Sequence, residues 1–230
     1  MTLVVLVSCE ETPGEGFVSF SLMEGNISEV TKGSVSDYVP LPPSNSFHLT
    51  VTDKTSGATV YEGTLGNWNA ETGLPSGNYS VTASYGDLRE EGSAQPYFCG
   101  TEDFTIVGGQ TKDVRITVSL GNSIVRILCT ESFRNYYPIQ DFVITTPNHS
   151  SGFHYDGSAV FVEYRFTVSG TLTGQDGKTV TLPEKTWNTE EATCYTVKYD
   201  VTNVGGLTVT ISFNDTVETV ELGDIDLSNS

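Results

Sequence analysis

Leu74-Pro75-Ser76-Gly77-Asn78-Tyr79-Ser80-Val81-Thr82-Ala83-Ser84-Tyr85-Gly86 is the stretch that decides the fold. Proline presets one turn dihedral, and the glycine that follows permits positive φ. Tyr79, Val81 and Ala83 then fall on one face of a strand. Working outward, the same period of two recurs in Phe17-Val18-Ser19-Phe20-Ser21-Leu22, Phe47-His48-Leu49-Thr50-Val51 and Val114-Arg115-Ile116-Thr117-Val118-Ser119-Leu120. Alternation rich in Thr, Val, Tyr and Phe marks half-buried strands. Turn signals separate the runs: Thr55-Ser56-Gly57, Gly108-Gly109, Gln175-Asp176-Gly177-Lys178 and Asn214-Asp215. The Asp-Gly pair suits the positive φ of a tight hairpin. No amphipathic segment reaches the roughly 12 residues of an ordinary helix. Short strands at this spacing predict an all-β protein of the sandwich or barrel class. Gly25–Ser46 carries Pro40, Pro42 and Pro43 and reads as a surface excursion.

A chain of 230 residues holds one large domain or two of about 110 each. Leu120 closes one strand and Ile124-Val125-Arg126-Ile127-Leu128 opens the next, so Gly121-Asn122 is the expected boundary. The expectation is two tandem transthyretin-like or Ig-like β-sandwich domains, residues 17–121 and 122–230. Hydrophobic residues make up 37%, enough for packed cores. The net charge of −18 repels phosphate backbones, which argues against a nucleic-acid partner. It also gives no attraction to anionic headgroups, so membrane attachment would need an anchor.

The first residues offer one. Leu3-Val4-Val5-Leu6-Val7 is far shorter than the roughly 20 apolar residues of a spanning helix. It fits the end of a signal-peptide h-region. Leu6-Val7-Ser8-Cys9 resembles a bacterial lipobox. The resemblance implies a signal peptide over 1–9, diacylglycerol on the Cys9 sulfur, cleavage before Cys9 and acylation of the new amine. Several chains on one residue meet the need for more than one lipid signal. No Lys or Arg precedes the run, a departure from the usual signal peptide. Glu10-Glu11-Thr12-Pro13-Gly14-Glu15-Gly16 reads as an acidic tether over 10–16. It also resembles the export signal of Bacteroidetes surface lipoproteins.

Leu74–Ala83 is similar to the L-P-x-G-x-Y-x-V-x-A pattern of transthyretin-like modules. Gln95-Pro96-Tyr97-Phe98-Cys99-Gly100 follows, then Asp103-Phe104-Thr105-Ile106 and Leu120-Gly121-Asn122-Ser123-Ile124-Val125. This order resembles a large family of Bacteroidetes lipoproteins known as a domain of unknown function. The likeness covers Cys9 and about residues 45–130, and is loose beyond. The family is related in architecture to fimbrillin-like proteins, which stack two transthyretin-like sandwiches. Stalk subunits of that kind lose their first strand to an arginine-specific cut and polymerise by donor-strand exchange. Here the first arginine is Arg89, and Lys32 is the sole Lys or Arg between Cys9 and Val51. The resemblance therefore implies a surface lipoprotein of the outer membrane with a binding or adhesion role, anchor- or tip-like rather than a polymerising stalk. The alternative is a glycan-binding accessory lipoprotein of a polysaccharide-uptake system. Its partners would be the membrane through the lipid, and other surface or fimbrial proteins or glycans.

No catalytic set emerges, so no enzyme and no cofactor are expected. GxSxG is absent. Glu90-Glu91 and Glu190-Glu191 read as solvated acids. His149, His154 and Asp156 form a weak metal pattern, and no metal is expected. Cys99, Cys129 and Cys194 cannot all pair, and Cys129–Cys194 is the first choice if one disulfide forms. Trp68, between Asn67 and Asn69, and Trp187, between Thr186 and Asn188, are candidate sugar-stacking platforms; each also reads as a lid over a core. Tyr136-Tyr137-Pro138 raises the same question. Asp215-Thr216-Val217 resembles the O-glycosylation signature of Bacteroidetes exported proteins and makes Thr216 the candidate attachment residue.

Overall fold

A computed structural model describes residues 14–25, 35–201, 207–213 and 216–222, with side chains described to Ile211. Cys9 and most of the tether lie outside these residues, as does 26–34 of the proline-rich excursion. The protein is all-β, as expected. Its strands are β1 (Glu15–Glu24), β2 (His48–Asp53), β3 (Thr59–Thr64), β4 (Leu74–Pro75), β5 (Gly77–Tyr85), β6 (Gly92–Ser93), β7 (Phe98–Ile106), β8 (Thr111–Leu120) and β9 (Ser123–Cys129). A six-residue helix, α1 (Glu131–Tyr136), follows. Then come β10 (Ile139–Thr145), β11 (Phe153–His154), β12 (Val160–Val162), β13 (Arg165–Thr173), β14 (Thr179–Asn188), β15 (Cys194–Val201), β16 (Leu207–Phe213) and β17 (Thr216–Leu222).

Contacts divide the chain into two compact units whose segments interleave. Among the described residues the first holds 14–23, Pro43–Ala83 and Gly100–Thr117. Residues 24–25, 35–42 and 84–99 group with the second, together with the described chain from Val118 onward. Gly121-Asn122 lies between β8 and β9, whereas the division by contacts falls after Thr117, within β8, and two earlier stretches join the later unit.

In the first unit the strand pattern works as read. Tyr79, Val81 and Ala83 on β5 are all buried, with exposed or half-buried residues between them. Val114 and Ile116 on β8, and Leu49 and Val51 on β2, repeat the alternation. A seven-stranded sheet runs β3-β2-β5-β7-β8-β1-β4. Tyr79 stacks on Phe104, with ring centroids 5.5 Å apart, and its hydroxyl donates to the Pro75 carbonyl at 2.8 Å. The proline turn and the strand it launches are thus tied by the tyrosine of the motif.

The second unit is a sandwich. A four-stranded sheet, β11-β10-β13-β14, shares one core with a six-stranded sheet, β17-β16-β15-β9-β12-β6. Phe142, Ile144, Phe166, Val168 and Leu172 from the smaller sheet meet Val125, Ile127, Tyr195, Val197 and Tyr199 from the larger. Phe133 of α1 is fully buried in the same core. Thr130 starts that helix by accepting the Phe133 N–H at 3.1 Å, and its hydroxyl donates to Asp200 at 2.6 Å. Such a cap satisfies a donor that the first turn would leave unpaired.

β9 and β15 pair in parallel, with Cys194 opposite Ile124 and Tyr199 opposite Cys129. The two cysteines sit at opposite ends of this ladder. Five residues of strand separate them, roughly 16 Å. A disulfide needs Cα atoms within about 7 Å. A Cys129–Cys194 bond, the first choice for a disulfide, is therefore ruled out by register, and no disulfide joins Cys99, Cys129 or Cys194.

Candidate functional site

Trp187 is 6% exposed and stacks on Phe166, ring centroids 5.2 Å apart. It belongs to the core of the second unit, so it has no open face for a sugar ring. This corrects its candidacy as a glycan contact. Thr186 and Asn188, which made it look surface-bound, are exposed because they point to the opposite side of β14.

Trp68 is half-buried. Its ring meets Phe20 and Tyr61 edge to face at 5.0 and 4.9 Å, and its indole N–H donates to the Val18 carbonyl at 3.0 Å. Its one donor and two of its sides are thereby committed to packing. Thr216 is the first residue of β17, opposite Phe213. Asn214 and Asp215 lie outside the described residues, as does Cys9.

The histidines do not converge. His154 pairs with Asp141 at 2.8 Å, whereas His149 stacks on Phe153 at 4.2 Å. Asp156 accepts the Ser158 N–H at 2.9 Å, which holds its carboxyl below the usual range. Among the described residues no three His, Cys, Asp or Glu side chains are grouped to hold a metal ion. Cys129 is pushed up to about 11 by burial, against a smaller opposing effect of Arg134, so its thiol stays protonated.

A cleft of about 400 Å³ opens between α1 and the turn joining β13 to β14. Ser132, Asn135 and Tyr136 line it from the helix, and Gln175, Asp176 and Lys178 from the turn. Tyr136 is 42% exposed. It is braced edge-on by Tyr137, 4.8 Å away. The two walls are bonded together: the Gln175 side chain donates to the Asn135 carbonyl at 2.6 Å, and the Gln175 N–H to the Tyr136 carbonyl at 3.3 Å. The turn is fixed from within, since Asp176 accepts the Lys178 N–H at 3.0 Å and Gly177 takes φ +78°. Burial, then Tyr136 and the Asp176 carboxylate, push the Tyr137 phenol up, keeping it neutral. In the sequence the tyrosine pair and the Asp-Gly turn stand about 40 residues apart, and nothing in that spacing joins them.

A family profile for a domain of unknown function, DUF4493, matches residues 14–228. The chain belongs to the DUF4493 family. No curated protein matches this DUF4493 chain in sequence. Several solved structures resemble it. A candidate cell adhesion protein from Bacteroides uniformis ATCC 8492 is 10% identical, with TM-score 0.47 over 90% of this chain and 96% of that one. Candidate polysaccharide-binding proteins from Bacteroides thetaiotaomicron VPI-5482 are 13% identical, with TM-score 0.45 over 91% and 99%. The fimbrial anchor protein Mfa2 from Porphyromonas gingivalis is 10% identical, with TM-score 0.38 over 89% and 98%. The roles in those descriptions belong to those proteins.

Within the DUF4493 chain, the two motifs around residues 95–100 and 120–125 meet. Asn122 is fully buried. Its side-chain oxygen accepts the Tyr97 N–H at 3.3 Å and its amide donates to the Gln95 carbonyl at 3.1 Å. Its own carbonyl accepts the Ala192 N–H at 3.1 Å. Gly121 leaves room for this approach, because a Cβ there would lie 2.7 Å from the Tyr97 ring. These residues hold the second unit together rather than face a ligand.

Proposed function

We propose that this DUF4493 protein is a lipid-anchored cell-surface protein that binds rather than catalyses, with a role nearer to the anchor or tip of a fimbrial assembly than to its stalk. Leu6-Val7-Ser8-Cys9 followed by an acidic tether carries the reading. The position of Arg89 supports the non-stalk part. Arg89 is exposed in the loop between β5 and β6, so a cut there would detach β1 to β5. Donor-strand exchange instead needs one strand removed from an otherwise intact sheet. The Asp215-Thr216-Val217 signature keeps Thr216 as the proposed glycan attachment residue.

Antibody labelling of intact cells tests the reading. Wild-type protein should label at the surface, and Cys9→Ser should lose most of that label while the protein is still made. Equal surface labelling of the two would remove the anchor. A second reading, a glycan-binding accessory lipoprotein, shares the anchor and is favoured by the Tyr136 cleft.

A further inference from the structure

We propose that the cleft between α1 and the β13–β14 turn is a glycan site, taking a neutral pyranose against the face of Tyr136. A pyranose has a C–H face and a rim of hydroxyls. The cleft offers the matching pair, an exposed aromatic ring and a ring of short polar groups. Ser132 and Asn135 can each donate and accept, and Asp176 accepts. That mixture suits hydroxyls, which also do both. A cleft of about 400 Å³ lies at the small end of ligand sites, with room for about one or two sugar rings.

The walls are set before any ligand arrives. Tyr137 holds the Tyr136 ring from one edge, and the two Gln175 hydrogen bonds lock the turn to the helix end. Binding to such a site costs little ordering. Two other clefts contrast with it. One is lined by Thr145, Ser150, Arg165 and Thr186, but its only aromatic ring, Phe166, is fully buried. The other is lined by Lys54, Asn78 and Asp103, with the rings of Tyr79 and Phe104 buried at 2% and 6% exposure. The charge of −18 disfavours polyanionic glycans, and Asp176 and Lys178 balance each other at the cleft itself.

The inference gives the surface-binding reading a ligand class. Its test uses soluble full-length Cys9→Ser protein, so that the outcome is separate from that of the anchor. Titration calorimetry against neutral gluco-, galacto- and manno-oligosaccharides should show binding to at least one. Tyr136→Ala should weaken that binding by about 10-fold, the usual worth of an aromatic contact. Tyr136→Phe should stay within about 2-fold, because the ring face and not the hydroxyl does the stacking. Asp176→Asn should weaken it by about 5- to 10-fold through a lost charge-assisted hydrogen bond. Circular dichroism should be unchanged in all three, since both side chains are exposed. No binding to any of these sugars at millimolar concentration would overturn the proposal. So would binding that Tyr136→Ala leaves intact.

Discussion

Replacing Asn122 with alanine should destabilise the protein by about 2–3 kcal/mol. The side chain makes two hydrogen bonds, to the Tyr97 N–H and the Gln95 carbonyl. Each is worth about 1 kcal/mol net. Asn122 is 0% exposed, so truncation also leaves a small cavity, adding up to roughly 1 kcal/mol. Gln95 is exposed and its carbonyl can regain water, which keeps the total near the lower end. The bond from Ala192 to the Asn122 carbonyl is main-chain and survives. Urea unfolding followed by far-ultraviolet circular dichroism reads the change as a lower midpoint at constant slope. Gln95→Ala is the control, because Asn122 bonds the main-chain carbonyl of Gln95 and not its side chain, and its midpoint should not move. A loss below about 0.5 kcal/mol for Asn122→Ala, the range of an ordinary surface substitution, would refute the reasoning.

Two further outcomes follow from the core. Trp187→Ala should cost about 3–5 kcal/mol, as for other buried tryptophans, measured by the same unfolding; a change under 1 kcal/mol would mean the residue is not packed against Phe166. Cys129 should resist iodoacetamide at pH 8 in folded protein and react readily in urea, read by peptide mass spectrometry; equal rates would contradict its burial. Its raised pKa also fixes a sign. The thiol's contribution is fully present below its unfolded value of about 9 and is lost as pH rises toward about 11, so stability should fall across that window.

Most strands could be read from the sequence because their cause is local. Tyr79, Val81 and Ala83 are buried at the period of two that the pattern showed. Asp176-Gly177 makes the hairpin it announced, with Thr173 opposite Thr179. What stayed hidden depends on contacts far apart in the chain. The parallel pairing of β9 with β15 joins segments about 70 residues apart, and only that register separates Cys129 from Cys194. Trp187 is a different case. Exposed Thr186 and Asn188 around a buried ring are ordinary strand alternation, and the rule applied elsewhere would have placed it inside. Yet Leu182, five residues earlier, is also buried, which breaks a strict period of two. The register shift opposite Val168 and Gly170 puts the extra residue on β14 itself, three residues from Leu182 to Lys185 against two on β13, and this resets the phase. Gly170 sits there because a Cβ would lie 2.2 Å from the Asp141 carbonyl. The Tyr136 cleft was illegible for the same reason as the parallel pair: it forms only when α1 and a turn 40 residues on are brought together.

Intact-mass spectrometry of the mature protein, purified from membranes, tests the central proposal most directly. The mature chain should lack residues 1–8 and begin at Cys9 carrying diacylglycerol and amide-linked acyl mass, with Cys9→Ser unmodified. A membrane-derived chain whose Cys9 bears no lipid would contradict it.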